Sequence, residues 1–207
     1  MEQKKLITIL VPAYNEEEVL YMLYERLKKL MDENTKYDFE ILLINDGSKD
    51  NTFKIMQELR MKDTRVCYLN LSRNFGKETA MIAGLDYCNG DAVVIIDADL
   101  QDPPELIPEM IKYWEEGFDD VYAKRRSRKG ESWLKKFTST MYYKVLQSFT
   151  KITIQKDTGD FRLLDRRCIE ALKSIRESQR YTKGLFSWIG YNKKEILYDR
   201  EDRMSVV

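Results

Sequence analysis

Ala92-Val93-Val94-Ile95-Ile96-Asp97-Ala98-Asp99-Leu100-Gln101-Asp102-Pro103-Pro104 is the stretch on which the reading of the whole chain turns. Five apolar residues without alternation suit a strand covered on both faces. Pro103-Pro104 opens a helix that runs through Trp114 and stops at Gly117. Between strand and helix stand acidic side chains. Two carboxylates two residues apart at a strand end, Asp97 and Asp99, project the same way and can share one hard cation. Mg2+ and Mn2+ prefer such oxygen ligands and leave positions for water and substrate phosphates. Gln101 continues the alternation and offers an amide oxygen as a third ligand. The alternative is an acidic loop that merely caps the helix behind it.

Outward from this stretch the first 124 residues alternate strand and helix. Strands are expected at Leu6 to Val11, Phe39 to Ile44, Val66 to Leu71, Ala92 to Ile96 and Val121 to Ala123. Helices are expected from Glu16 to about Met31, from Thr52 to about Met61, and from Lys77 to Tyr87. Successive strand–helix units imply an α/β fold: a doubly wound, mostly parallel sheet with helices on both faces. Ligands of such sheets bind beyond the carboxyl ends of the strands. The polar motifs fall there: Asn15-Glu16, Asp46-Gly47, and Asp97 to Asp102.

Past residue 124 the pattern changes. Ser132 to Phe149 reads as one amphipathic helix, with Trp133, Phe137, Met141, Val145 and Phe149 four residues apart. An extended Phe161 to Leu164 follows, then a helix from Asp165 to about Arg176, a helix around Leu185 to Ile189 and a strand from Glu195 to Tyr198. The expectation is a single domain over 1–207, with a first half at 1–124 whose strand ends carry the polar motifs and a C-terminal subregion at 125–207.

Each motif has a chemical use and a plainer one. Pro12 ends the first ladder, and the turn after it would hold Tyr14 and Glu16 against a base or ribose. Asp46 offers a carboxylate to ribose hydroxyls or base nitrogens, and Gly47 permits close backbone approach. Lys77 and the amides that start its helix could meet an anion. Asp157, Asp160 and Arg162 surround Gly159 and could border an active site, or form a structural ion pair. The basic run Lys124-Arg125-Arg126-Ser127-Arg128-Lys129 suits phosphate or an anionic membrane surface, or a solvated loop.

Composition excludes other classes. The 207 residues carry 35 basic and 35 acidic side chains, so no global field favours nucleic acid. There is no histidine, which removes Ser/His catalysis and Cys/His zinc sites. Cys67, Cys88 and Cys168 are scattered and odd in number, as expected of a reduced, cytoplasmic compartment. Met1 to Lys5 is polar, which reads as no secretory leader, and no apolar run approaches the roughly 20 residues of a membrane span. No Gly-x-Gly-x-x-Gly follows the first strand, which argues against a dinucleotide-binding dehydrogenase.

Taken in order, Pro12-Ala13-Tyr14-Asn15-Glu16, Asp46-Gly47-Ser48-x-Asp50-x-Thr52, Arg73-Asn74-Phe75-Gly76-Lys77, Asp97 to Pro104 and Gly159-Asp160-Phe161-Arg162 resemble glycosyltransferase family 2. The branch is that of dolichyl-phosphate mannosyltransferase and bacterial undecaprenyl-phosphate glycosyltransferases, and the resemblance covers about residues 6 to 203. It implies a GT-A fold and an inverting transfer of a hexose from a UDP- or GDP-sugar to a polyprenyl phosphate. It also implies Mg2+ or Mn2+ on Asp97, Asp99 and Gln101. Pro12, Tyr14, Glu16 and Asp46 match the nucleotide pocket, Arg125 or Arg126 the acceptor phosphate, and Asp157 and Asp160 the acceptor side. Arg200 and Arg203 match arginines that touch donor phosphates.

Such an enzyme would work at the inner face of the membrane as a peripheral protein, and a homo-oligomer is open to it. After Arg203 that branch carries a Gly-x-Ser-Lys type loop, where this sequence reads Met204-Ser205-Val206-Val207. Two other readings stay open: a family member acting on a saccharide hydroxyl, and a nucleotide-sugar-binding module without turnover.

Overall fold

The structure is a computed structural model and describes residues 3–126, 158–175 and 182–199. One seven-stranded sheet runs through it. Its strands are β1 (Leu6–Ala13), β2 (Asp38–Asn45), β3 (Val66–Asn70), β4 (Ala92–Ile95), β5 (Asp120–Arg125), β6 (Thr158–Asp165) and β7 (Lys193–Tyr198). The helices are α1 (Leu20–Glu33), α2 (Thr52–Lys62), α3 (Lys77–Tyr87), α4 (Ile107–Glu115), α5 (Arg166–Ser174) and α6 (Thr182–Trp188).

The strand order is β3-β2-β1-β4-β6-β5-β7. β1, β2, β3 and β4 are mutually parallel, and β5 and β7 form a parallel pair. β6 runs antiparallel to both β4 and β5, so the sheet is mostly parallel with one reversed strand inside it.

Continuous apolar strands serve two faces at once. Ile7, Ile9, Val11, Ile41, Leu43 and Val94 pack with α1, α2 and α4. Leu10, Leu42, Ile44, Val93 and Ile95 pack with α3, α5 and Phe186 of α6. Ile7, Ile9, Leu10 and Val11 have no exposed surface, and burial of each such side chain is worth about 1.5–3 kcal/mol. α3 lies unusually near the sheet because Gly84 has no side chain. A Cβ there would fall 2.6 Å from Leu10 Cδ1 and 3.1 Å from Ile44 Cδ1.

Two expectations change in detail. α1 begins at Leu20, not at Glu16, because residues 14–19 form bends and a turn. Pro12 does not end its ladder: β1 stays in register with β2 through Pro12–Ile44 and Ala13–Asn45. Leu10 O accepts from Ile96 N on the β4 side. Backbone groups alternate sides along a strand, so the missing N–H of Pro12 faces the β4 side as well. β4 pairs with β1 only between Ile7 and Leu10, so no ladder bond is lost there.

Candidate active site

The end of the β1–β4 pairing opens a cleft of about 300 Å3 at the carboxyl ends of the strands. It is lined by Pro12, Ala13 and Tyr14 after β1, Asp46 after β2, Gly76 and Lys77 at the start of α3, and Asp97 to Asp99 after β4. Glu16 and Asn74 complete the lining. Motifs that lie far apart along the chain thus meet at the place a doubly wound sheet reserves for ligands.

The turns after β1 and β2 hold each other. Asn15, at φ +54°, donates its backbone N–H to Ser48 Oγ at 3.0 Å and accepts from Lys49 N at 2.8 Å through Oδ1. Glu16 N donates to Thr52 Oγ1 at 2.8 Å, and Glu17 N to Asp50 Oδ2 at 3.3 Å. Ser48, Asp50 and Thr52 therefore brace the first turn as well as starting α2, where Asp50 Oδ1 accepts from Thr52 N at 3.0 Å. Tyr14 is left 38% exposed over the cleft.

Asp46 does something the sequence did not suggest. Its carboxylate is 3% exposed and accepts from Phe75 N at 2.7 Å and Gly76 N at 2.9 Å. Both oxygens are thereby given to the loop before α3. Gly47 stands at φ +67° and lets that loop approach: a Cβ there would sit 2.3 Å from the carbonyl carbon of Arg73. Asp46 reaches the cleft as the anchor of this loop.

Lys77, the first residue of α3, sits between two carboxylates. Its Nζ lies 2.5 Å from Asp97 Oδ1 and 2.6 Å from Asp160 Oδ2. Burial alone would pull the ammonium pKa down, and the two carboxylates outweigh it, so Lys77 is raised above the ordinary lysine value. Lys77 thus links the acidic turn after β4 to Asp160 on β6.

The acidic turn itself departs from simple alternation. β4 ends at Ile95, and Ala98-Asp99 form a turn. Leu100, fully buried, takes φ +59°. Asp99 Oδ1 accepts from Gln101 N at 3.1 Å. Asp97 and Asp99 line the cleft together, but the left-handed residue between them and Gln101 breaks the repeat that was to align the third ligand, and Gln101 does not line the cleft. Asp102, 1% exposed, accepts instead from the Tyr198 hydroxyl on β7. Burial first, and this bond second, push the Tyr198 hydroxyl well above the ordinary tyrosine value.

Arg125 ends β5, and its Nε donates to Tyr198 Oη at 3.4 Å. Arg126 is exposed and lies 3.4 Å from Asp199. Arg162 is a correction. It has no exposed surface, its Nη1 lies 3.2 Å from Asp120 Oδ2, and its guanidinium stacks 3.8 Å over the Phe186 ring. The structural ion pair is the geometry present here. Phe161 faces the α1 and α4 layer, so Asp160 and Arg162 share the other face of β6, with Asp160 toward the cleft and Arg162 deeper. Burial raises the Asp120 carboxyl, and Arg162 partly offsets it. Asp157, Arg200, Arg203, the basic residues Arg128 and Lys129 and the amphipathic helix expected at 132–149 lie outside the described residues.

Among the described residues no group of three Asp, Glu or Cys side chains is arranged to hold a metal ion. The cleft instead offers the hard oxygens of Asp97 and Asp99 beside open space. That donor set fits Mg2+ or Mn2+, which are commonly held by one or two carboxylates with the rest supplied by water and substrate phosphate.

A mostly parallel sheet of this order, with its cleft and acidic turn after β4, is a fold of the GT-A type. Residues 8–173 match Glycosyl transferase family 2, and the chain belongs to that family. An uncharacterized glycosyltransferase of Synechocystis is 50% identical over 197 residues, spanning 95% of this chain and 62% of that protein. The bactoprenol glucosyl transferase of Shigella phage SfX is 41% identical over 199 residues, 96% of this chain and 65% of that one. The chain thus spans less than two thirds of either relative.

Among solved structures, a mannosyltransferase from Pyrobaculum calidifontis in complex with GDP-Man and Mn2+ superposes with a TM-score of 0.69 at 16% identity, covering 99% of this chain and 59% of that one. Glucosyl-3-phosphoglycerate synthase from Mycobacterium tuberculosis, with Mn2+, UDP and phosphoglyceric acid, gives 0.64 at 19%, covering 97% and 72%. At these identities the likeness is one of fold.

Proposed function

We propose that this chain carries the catalytic site of an inverting transferase that moves a hexose from a UDP- or GDP-sugar to a polyprenyl phosphate. One observation carries the reading: Asp97, Asp99 and Lys77 line one cleft with Tyr14 and Glu16. The bactoprenol glucosyl transferase among the relatives supports the lipid acceptor.

Tyr14 and Glu16, on the braced turn, would border base and ribose. Lys77 would meet the diphosphate. Asp97 and Asp99 would hold Mg2+ or Mn2+, which when bound stabilises negative charge on the departing diphosphate as a Lewis acid. A phosphate monoester has its second pKa near 6, so the acceptor is mostly dianionic at neutral pH and needs positioning more than deprotonation. Arg125, which ends β5, and Arg126, which follows it, would offset that charge, and Asp160 would stand at the acceptor side. Among the described residues no helix is long and apolar enough to cross a membrane. Work at the inner face of the membrane would then rest on the lipid acceptor and on basic residues such as these.

Two measurements test this. Mn2+ or Mg2+ tightens UDP or GDP binding by about tenfold or more, ~1.4 kcal/mol, and Asp99→Asn abolishes the gain; binding indifferent to metal in the unaltered chain would count against the site. Labelled nucleotide sugar incubated with polyprenyl phosphate sends label into the organic phase. Label reaching only a saccharide points to the hydroxyl acceptor, which needs a general base. Donor binding with no transfer to any acceptor points to a module without turnover.

A further inference from the structure

Lys77 stands where two positive charges would compete. Its ammonium lies 2.5 Å from Asp97 Oδ1, a carboxylate that fits a divalent cation, and 2.6 Å from Asp160 Oδ2 on a different strand. The lysine side chain is 42% exposed and lines the cleft, whereas the carboxylates are 21% and 15% exposed. It is therefore free to reach into the cleft from a fixed base. That base is rigid: Asp46 holds the amides of Phe75 and Gly76 immediately before it, and the first turn of α3 follows.

A cation bonded to Asp97 places two positive charges within a few ångströms of the ammonium, inside a cleft where charges are weakly screened. The ammonium then has reason to leave, and the diphosphate of a donor bound in the same cleft would give it an alternative partner. We infer that Lys77 is an internal counter-ion that occupies Asp97 and Asp160 while the cleft is empty. It transfers to the donor diphosphate when the divalent cation takes Asp97. The inference rests on the transferase reading of the cleft and adds an order to it: metal alone binds poorly, and metal and nucleotide bind together. The two-carboxylate donor set points the same way, since among the described residues a cation arriving alone finds few ligands.

The test is Mn2+ binding to the folded chain, followed by titration calorimetry or by the spectrum of free Mn2+, with and without UDP or GDP. Lys77→Met should bind Mn2+ alone about tenfold more tightly than the unaltered chain. The factor by which nucleotide improves Mn2+ binding should shrink, because part of that coupling runs through the lysine. By reciprocity the factor by which Mn2+ improves nucleotide binding shrinks equally. Lys77→Arg keeps the charge and should stay near the unaltered affinity. Lys77→Gln is the neutral variant to measure if the methionine form does not fold.

Equal Mn2+ affinity and equal coupling in the unaltered and neutral chains overturn the counter-ion and leave the transferase reading standing. An absence of Mn2+ binding in every chain, with nucleotide present, overturns both.

Discussion

Gly47 shows how much a single atom decides at this site. The residue sits at φ +67°, and a Cβ would lie 2.3–2.6 Å from backbone atoms of Arg73 and Asn74. Backbone cannot retreat as a side-chain tip can, and the left-handed conformation adds its own penalty. Gly47→Ala should lose more than about 2 kcal/mol of stability, read by urea unfolding, and should weaken nucleotide binding beyond what the stability loss explains. Leu100 is the converse case. A buried leucine at φ +59° is a strained residue held by its surroundings. Nothing in Asp-Leu-Gln-Asp announces that turn, which is why Gln101 was expected in line with Asp97 and Asp99 and is not among the residues that line the cleft. Arg162 was left between an active-site border and a structural ion pair for a related reason. A guanidinium next to a glycine and a carboxylate looks the same in sequence whether it faces solvent or, as here, a buried aspartate and a phenylalanine ring.

Elements were legible where periodicity speaks and illegible where it is silent. The apolar runs of β1, β2 and β4 marked those strands to within a residue or two, and the glycine stop marked the end of α4, whereas Pro103-Pro104 precede its start at Ile107 by a short 3-10 turn. The late start of α1 was hidden because Asn15 to Glu17 are held by Ser48, Asp50 and Thr52 from another element. A run of Phe161 to Leu164 announces a strand but carries no direction, so the reversal of β6 could not be read. At this scale the junction of α2 and β3 makes an acid-stability prediction. Arg65 donates to both oxygens of Asp63 and to Asp32, and Tyr24 adds a bond at 3.1 Å. The Arg65 hydrogen bonds hold the Asp63 carboxyl down at about 2, below its reference of 3.8. A carboxyl lowered on folding contributes stability above its unfolded pKa and loses it as pH falls through the folded one. The midpoint of thermal unfolding should thus decline between about pH 5 and pH 2, and Asp63→Asn should flatten that decline while lowering the neutral-pH midpoint.

Across the whole molecule, β6 joins β5 and β7 to the rest of the sheet, and the fully buried Asp120–Arg162 pair ties β6 to β5. Removing one partner of such a pair leaves an uncompensated buried charge and costs about 3–5 kcal/mol, whereas replacing both by apolar residues is often neutral. Urea unfolding should show Arg162→Met strongly destabilised, and Asp120→Leu with Arg162→Met recovering most of the loss. The same strand has a topological effect. Because β6 runs against β5, and Lys124 pairs with Thr158 at their shared end, the chain linking the two strands leaves and re-enters the sheet at one place. Its closure is already secured by that pair, and lengthening a closed loop is penalised only logarithmically. A change in the length of that link should therefore leave the pairing of β5 with β6 in place.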